Sequence, residues 1–257
     1  MCDRRRTVLI AFDFDGTLYP LRPYDSEQRL LMKAVENRSP QERTEAMQAV
    51  RNDMEGLLSL GEFTETYVRF TRHAPEHLLD EIVEDIRSLA GSSALVPLRI
   101  LRDDVDAEYC VISCGTVNLI ERYLLRMDVR RSFGALFGKT FEIIDGRIGD
   151  ISIAVSGPQD KAFLLEAEAA RIASRTGIRP LTIAVGDGPT DIPMLRHADF
   201  GIIVDWDEME DTTERSGFPL ARSVDGICTL VRDFLATKED CMRPHRHRTP
   251  RNRLSNV

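Results

Sequence analysis

Short apolar segments separated by long amphipathic stretches constrain the fold of this chain more than any other feature of its sequence. Four of these segments have four or five residues: Val8–Phe12, Tyr109–Ile112, Leu181–Val185 and Gly201–Val204. Strands buried on both faces of a parallel sheet have this length and this apolar character, and helices connect them. The pattern therefore predicts an α/β protein with a doubly wound parallel sheet.

The interval between Tyr19 and Gly91 lacks this strand pattern. Apolar residues recur there at helical spacing in four successive stretches. One stretch begins with Ser39-Pro40-Gln41-Glu42, a capping box with proline at the first helical position. We therefore expect a core of residues 1–18 and 92–240, with a small α-helical cap of residues 19–91 inserted after the first strand.

Two further segments have distinctive sequences. Asp145-Gly146 lies between apolar stretches within residues 141–151, which predicts a short β-hairpin. Residues 241–257 contain five arginines, two histidines and no acidic residue. This composition favours a basic, disordered tail.

Composition and charge exclude several classes of protein. The 257 residues carry a net charge of −8, and −13 remains when the five arginines of the tail are removed. An acidic body argues against nucleic acid as the ligand, because binding to phosphates requires a basic surface. No apolar run reaches the ~18–20 residues that span a membrane, and the N-terminal run meets Asp13 before it has the length of a signal peptide. We expect a cytoplasmic protein without a membrane partner.

The first apolar segment ends in two acidic residues. Asp13 and Asp15 are separated by one residue, so alternation along a strand places their side chains on the same side. Gly16 permits a tight turn, and the hydroxyl of Thr17 can bind nearby backbone. Because ligands of open α/β sheets bind at the carboxyl ends of strands, we expect a site here. Considered alone, the motif also fits a strand end with solvated acidic side chains.

A second apolar segment leads into residues 186–191, Gly-Asp-Gly-Pro-Thr-Asp. Thr190 is expected to cap the helix after this segment. If the two strands are neighbours, four carboxylates converge: those of Asp13, Asp15, Asp187 and Asp191. Such carboxylates repel one another unless a cation or shared protons neutralise them. Oxygen ligands without histidine or cysteine favour Mg²⁺ over zinc.

Three further residues fit a phosphate-binding site. Ser113 and Cys114 come after a strand-like segment and precede a helix, whose first backbone N–H groups attract anions. Lys161 begins an amphipathic helix before the strand that leads to Asp187, and its ammonium could bind phosphate oxygens and offset the carboxylates. On its own, Lys161 is more simply explained as a solvated lysine at a helix start.

Taken in order, these features resemble the four motifs of the haloacid dehalogenase-like superfamily. Asp13-Phe14-Asp15-Gly16-Thr17 resembles the first motif, Ser113 the second, Lys161 the third and residues 186–191 the fourth. The inserted helices resemble the cap of the phosphoserine phosphatase-like branch, and the resemblance extends from Val8 to Leu235. It implies a Rossmann-like sheet, Mg²⁺ and an aspartyl-phosphate intermediate. This chain departs from the family pattern after Ser113, where Cys-Gly-Thr replaces a double glycine.

The resemblance implies a role for each residue of the motifs. Asp13 is the nucleophile, and Asp15 is the general acid and then the general base. The implied metal ligands are Asp13, Asp187 and the backbone carbonyl of Asp15, and the supporting residues are Asp191, Thr17 and Gly188. The phosphate-binding residues are Ser113, Cys114 and Lys161.

The chemistry of these residues points to the same function. A carboxylate nucleophile divides phosphoryl transfer into two displacements, and a second carboxyl can protonate the leaving alcohol before it activates water. We predict a Mg²⁺-dependent phosphatase that acts on a small phosphorylated metabolite. A phosphotransferase or phosphomutase would use the same aspartates and stays open, whereas a binding protein without catalysis would leave the complete set unexplained. The sequence distinguishes neither phosphoserine from sugar, nucleotide or cofactor phosphates nor one oligomeric state from another.

Two other segments are weaker candidates for function. Residues 134–140 resemble a nucleotide-binding P-loop, but three residues instead of four separate the glycines, and the segment leads into a strand-like stretch. We do not expect a phosphate site there. Trp206, the only tryptophan of the chain, lies in an acidic stretch and is expected to pack or to act as a lid.

Overall fold

A seven-stranded sheet lies at the centre of the computed structural model, which describes residues 7–206 and 217–242. The strands are β1 (Val8–Phe12), β2 (Ala107–Thr116), β3 (Phe133–Ile144), β4 (Arg147–Ile153), β5 (Leu181–Gly186), β6 (Phe200–Val204) and β7 (Leu220–Ala221). Their order is β4-β3-β2-β1-β5-β6-β7, and only the pairing of β3 with β4 is antiparallel among these strands. The predicted parallel α/β sheet is confirmed.

Helices cover both faces of the sheet. They are α1 (Ser26–Ala34), α2 (Pro40–Met54), α3 (Leu60–Thr71), α4 (His77–Ala90), α5 (Val96–Val105), α6 (Val117–Arg126), α7 (Pro158–Thr176), α8 (Ile192–His197) and α9 (Val224–Met242). Alternation along β1 divides the core, because Ile10 and Phe12 join a cluster with α1, α4, α6 and α9, whereas Leu9 and Ala11 join one with α7 and α8. None of the described helices has the length and apolar character needed to cross a membrane.

The four helices expected between Tyr19 and Gly91 are present as α1 to α4, and α5 follows them before β2. The capping box of α2 forms as the sequence predicts: the Glu42 N–H donates to Ser39 Oγ, and the Ser39 N–H donates to the Glu42 carboxylate at 3.1 Å. Leu31 of α1 and Ile82 of α4 are buried in the same cluster as Ile120 of α6. The helices of the inserted segment therefore pack on the sheet domain through a shared core, and the division at residues 18 and 91 stays a prediction.

Two elements differ from the expected boundaries. The hairpin is present, with positive φ at Asp145 and Gly146, but β3 already begins at Phe133. The P-loop-like segment therefore lies within a strand. Helix α9 continues to Met242, so the first two residues of the predicted tail are helical, and residues 243–257 lie outside the described part of the chain.

Candidate active site

Strands β1 and β5 are direct neighbours, and their carboxyl ends bring acidic residues together. Phe12 pairs with Val185, and the Asp13 N–H donates to the Val185 carbonyl at 2.9 Å. Asp13, Asp187 and Asp191 each offer an oxygen atom, and these atoms lie within 4.8 Å of one another. The sequence predicts that four carboxylates converge; these three do so, and the fourth, Asp15, is not part of the group.

Lys161, near the start of α7, lies between two of these carboxylates. Its ammonium donates to Asp13 Oδ1 at 2.9 Å and to Asp191 Oδ1 at 2.6 Å, and its side chain is only 1% exposed. A buried ammonium is stable only when it is paired in this way. Lys161 is thus part of a buried ionic network and is not a solvated lysine.

Asp191 is held on both of its oxygens. The N–H groups of Asp187 and Gly188 donate to Asp191 Oδ2 at 3.0 and 3.1 Å, while Lys161 binds Oδ1. Asp191 also occupies the N-cap position of α8, so the expectation that Thr190 caps this helix is wrong. These contacts make Asp191 the residue that fixes the turn after β5.

The turn after β1 fits closely against Asp187. Thr17 Oγ1 donates to Asp187 Oδ1 at 3.2 Å. Gly16 has a φ of +74°, and a Cβ atom there would lie 2.2 Å from Asp187 Oδ2. Because only glycine tolerates both the backbone conformation and the close contact, Gly16 allows the Asp187 carboxylate to lie directly against the first motif.

The Asp15 carboxyl lies outside this acidic group and contacts the start of α1. Its Oδ1 accepts hydrogen bonds from the Tyr19 hydroxyl and, at 2.7 Å, from the Ser26 N–H. Its Oδ2 accepts from Ser26 Oγ at 3.0 Å and lies beside Gly115, where a Cβ atom would be 2.9 Å away. Sequence reasoning missed Tyr19 and Ser26, since no local pattern shows that the start of this helix returns to the first motif.

Ser113 lies in an irregular part of β2. Ile112 pairs with Phe137 and Thr116 pairs with Lys139, so β2 advances four residues while β3 advances two. The surplus residues form a bulge, in which the Gly115 N–H donates to Ser113 Oγ at 3.0 Å. The expected strand end at Ile112 is therefore a bulge within a longer strand, and it places Ser113 beside Asp15.

Burial and mutual repulsion raise the pKa values of Asp13 and Asp187. Burial and the charge of Asp191 raise the pKa of Asp13 to about 7, although Lys161 opposes them. Burial, together with Asp191 and Asp13, raises the pKa of Asp187 well above its usual range. Burial alone would lower the pKa of Lys161, but Asp13 and Asp191 hold it well above its usual value.

Burial is also the largest influence on the pKa values of Cys114 and Asp15. It raises the pKa of the Cys114 thiol to about 11, against the nearby charge of Lys161. The Cys114 thiol is therefore protonated at neutral pH and carries no negative charge that would repel an anion. Burial likewise raises the pKa of Asp15, although the hydrogen bonds from Tyr19 and Ser26 oppose this.

The acidic group fits a divalent cation. Lys161 pairs with Asp13 and Asp191, and the carboxylate of Asp187 lies in the same group, so negative charge is concentrated at the ends of β1 and β5. The offered atoms are all carboxylate oxygens, the ligands that Mg²⁺ prefers. Both oxygens of Asp191 accept hydrogen bonds, from Lys161 and from backbone N–H groups, so its carboxylate is already fully engaged.

A second buried polar cluster joins the inserted helices to the sheet. Lys139 of β3 donates to Glu27 Oε2 at 2.5 Å, and Thr116 Oγ1 donates to Glu27 Oε1 at 2.5 Å. The Tyr67 hydroxyl of α3 lies 3.0 Å from Thr116 Oγ1. Sequence reasoning missed this cluster, although a lysine within an apolar strand was a signal for Lys139.

The fold of this chain is similar to the folds of several solved structures. The chain is similar to a probable phosphoserine phosphatase from Vibrio cholerae, with a TM-score of 0.68, 20% identity, and coverage of 91% of this chain and 67% of that one. A substrate-bound phosphoserine phosphatase gives a TM-score of 0.64 and 21% identity, with 89% of this chain and 99% of that one covered. A HAD family hydrolase from Salmonella enterica serovar Typhi gives a TM-score of 0.62 and 21% identity, with 84% of this chain and 68% of that one covered.

A family model that matches most of the chain shows which family it belongs to. A search of curated proteins finds no match. The model of the haloacid dehalogenase-like hydrolase family matches residues 10–196, a span that includes both acidic strand ends, Ser113 and Lys161. The chain therefore belongs to the haloacid dehalogenase-like hydrolases, and it is an enzyme of that class.

Proposed function

We propose that this protein is a Mg²⁺-dependent phosphatase that hydrolyses a small phosphate monoester through an aspartyl-phosphate on Asp13. One observation carries the proposal: Lys161 is buried between Asp13 and Asp191, and Asp187 lies in the same group. A phosphoryl group that approaches Asp13 needs compensating positive charge, and this arrangement provides an ammonium and a set of cation ligands.

Asp13 has the properties of a nucleophile in this site. Lys161 holds its Oδ1, and the hydrogen bond from its N–H to Val185 fixes its backbone. In the first step, a carboxylate oxygen of Asp13 forms a bond to phosphorus while the bond from phosphorus to the leaving alcohol oxygen breaks. In the second step, water attacks phosphorus and the bond to Asp13 breaks, which releases inorganic phosphate and restores the carboxylate.

Asp15 has the properties of the acid and base for these two steps. Burial favours its protonated form, and two hydrogen bonds anchor Oδ1, so Oδ2 is the oxygen that faces the Ser113 bulge. Asp15 gives its proton to the leaving alkoxide in the first step and takes one from the attacking water in the second. Ser26 Oγ can donate to the ionised Oδ2 or accept from the protonated one, and it thus supports both states.

The cation and the phosphate would be held by separate parts of the site. Asp13, Asp187 and the backbone carbonyl of Asp15 would hold Mg²⁺, with Asp191, Gly188 and Thr17 in supporting positions. When bound, Mg²⁺ supplies positive charge that offsets the carboxylates and the phosphoryl oxygens. Ser113, the backbone of Cys114 and Lys161 would bind the phosphoryl oxygens.

Several observations support a small substrate. Tyr19 and Ser26, which both bind Asp15, are buried, and this limits the space beside the leaving group. The similar solved structures include a substrate-bound phosphoserine phosphatase and a phospho-aspartyl intermediate analogue of phosphoserine phosphatase. We therefore infer that the substrate is a small phosphorylated metabolite in the cytoplasm, bound between the core (residues 1–18 and 92–240) and the cap (residues 19–91).

A panel of phosphate monoesters, incubated with Mg²⁺ or with EDTA, tests this function by release of inorganic phosphate. We expect Mg²⁺-dependent release without an added acceptor, and none from Asp13→Asn. Full turnover in EDTA would remove the metal from the proposal. Product formation only when an acceptor alcohol is present would instead identify a phosphotransferase.

A further inference from the structure

Trp206 makes a contact that the proposed reaction does not use. It comes shortly after β6, is partly buried and packs against the main hydrophobic cluster. Its indole N–H donates to the Gly16 carbonyl at 2.7 Å. An indole has only this one hydrogen-bond donor, so the contact sets the orientation of the ring relative to the first motif.

The strand order places this hydrogen bond across the cation site. Strand β5 lies between β1 and β6, Gly16 lies after the end of β1, and Trp206 lies after the end of β6. Asp187, at the end of β5, therefore lies between the two bonded residues. The hydrogen bond therefore connects the segment after β1 to the segment after β6, across the end of β5.

The position of the Asp187 carboxylate depends on where the Gly16 backbone lies. A Cβ atom at Gly16 would be 2.2 Å from Asp187 Oδ2, so the carboxylate packs directly on the Gly16 backbone. The adjoining residue, Thr17, donates to Asp187 Oδ1 at 3.2 Å. A glycine at a φ of +74° has no side chain to hold its peptide group in place, whereas the Trp206 indole bonds to that group.

We propose that Trp206 is a positioning residue for the divalent cation of the proposed phosphatase. It holds the Gly16 turn against Asp187, and so it keeps the Asp187 carboxylate where it can share a cation with Asp13. Trp206 therefore sets the affinity for the cation and contributes little to the chemical step. This inference rests on the proposed function for the identity of the cation, Mg²⁺.

Trp206→Phe tests the inference because it keeps an aromatic ring and removes the N–H donor. Loss of one hydrogen bond of ordinary strength is expected to raise the half-saturating Mg²⁺ concentration about 3–10-fold. The kcat at saturating Mg²⁺ should stay within about twofold, since Trp206 does not touch the reacting atoms. Phe200→Leu is the matched control, because Phe200 is also an aromatic residue near Trp206 in sequence. It lies in β6 and stacks on Phe234, with 4.3 Å between the ring centroids. This control should leave the Mg²⁺ dependence unchanged.

Two measurements do not depend on activity. The midpoint of thermal unfolding, followed against Mg²⁺ concentration, should respond only at correspondingly higher concentrations in Trp206→Phe. Because Trp206 is the only tryptophan, the fluorescence of the unaltered protein should change as Mg²⁺ is added, and this change should be absent in Asp187→Asn.

The possible results separate this inference from the proposed function. A protein without phosphatase activity, in which Trp206→Phe still weakens the response of the melting temperature to Mg²⁺, would refute the function and keep the inference. An active Trp206→Phe enzyme with unchanged Mg²⁺ dependence would overturn the inference and leave the function standing. If Trp206→Phe does not fold, a fluorescence change with Mg²⁺ that persists in Asp187→Asn, or no change in the unaltered protein, overturns it.

Discussion

Asp13 and Asp15 are two residues apart at one strand end, but their surroundings differ. Asp13 shares a buried ionic network with Lys161 and Asp191, whereas Asp15 is bound by hydroxyl and backbone donors at the start of α1. The first environment keeps a carboxylate close to a positive partner. The second allows a carboxyl to hold or to lose a proton. This difference supports the division of the proposed roles between the two residues.

The two aspartates should therefore fail in different ways when they are replaced. Asp13→Asn removes the nucleophile, so we expect no phosphoenzyme with any substrate. Asp15→Asn keeps the nucleophile but cannot protonate a leaving alkoxide or activate water. With an aryl phosphate, which needs little protonation, Asp15→Asn should release a burst of phenol and accumulate a phosphoenzyme on Asp13. Rapid quench followed by mass spectrometry of the Asp13 peptide measures both species.

An alkyl phosphate is the control substrate for this comparison. Its poor leaving group needs the acid, so Asp15→Asn should show no burst with it. A burst in Asp13→Asn and none in Asp15→Asn, with the aryl substrate, would mean that the roles of the two residues are reversed.

At the scale of elements, the bulge in β2 determines where Ser113 lies. The bulge packs against β3 at Gly138, where a Cβ atom would be 2.5 Å from the Gly115 carbonyl oxygen and 3.2 Å from that of Ser113. Both neighbours are backbone atoms, so they cannot move aside as a flexible side chain does. The glycine in β3 is therefore required by the shape of the bulge around Ser113.

Gly138→Ala should displace the bulge and weaken the enzyme. We expect a loss of roughly 1–3 kcal/mol in the free energy of unfolding, the usual result of forcing a methyl group into a filled space, together with a higher KM. Gly134→Ala in the same strand is the matched control, because a Cβ atom at Gly134 would lie 3.8 Å from its nearest neighbour, the Tyr109 carbonyl oxygen. Urea melts and steady-state kinetics of both variants provide the measurement. Equal effects of the two substitutions would contradict the proposed role of the bulge.

The buried pair of Lys139 and Glu27 joins β3 to α1 and so connects the inserted helices to the sheet. The two side chains are 1% and 6% exposed. Lys139→Met leaves the Glu27 carboxylate buried without its partner, which typically costs about 3–5 kcal/mol. The double variant Lys139→Met/Glu27→Gln removes both charges, so most of that loss should be restored in urea melts.

An exposed pair serves as the control for this cycle. Arg99 donates to Asp128 at 3.0 Å, and the two side chains are 48% and 93% exposed. Arg99→Met should change the free energy of unfolding by less than about 1 kcal/mol. If Lys139→Met costs no more than Arg99→Met, the buried pair does not connect the two parts of the molecule.

For the whole molecule, the sequence predicted those features that depend on local patterns and on a general rule of sheet topology. Apolar strands that end in Asp13 and in Asp187 can be recognised within a few residues, and the rule for parallel sheets then brings the two strand ends together. The contacts of Ser26, Glu27 and Trp206 could not be predicted in this way. Each depends on how a segment distant in sequence packs against the site, and no short pattern encodes that packing.

The acidic group also makes a prediction about the stability of the molecule. Asp13, Asp187 and Asp191 repel one another although Lys161 pairs with Asp13 and Asp191, and a cation that binds only the folded state stabilises it. At a concentration of about 100 times its Kd, Mg²⁺ should add about 2.7 kcal/mol to the free energy of unfolding, or roughly 5–10 °C to the Tm of a chain of this size.

Asp187→Asn removes one of the repelling charges, so the Tm without Mg²⁺ should rise while the response to Mg²⁺ is largely lost. Asp128→Asn, at an exposed acid, should change neither quantity, and differential scanning calorimetry measures both. A lower Tm in Asp187→Asn with a full response to Mg²⁺ would show that Asp187 serves the fold and does not bind the cation.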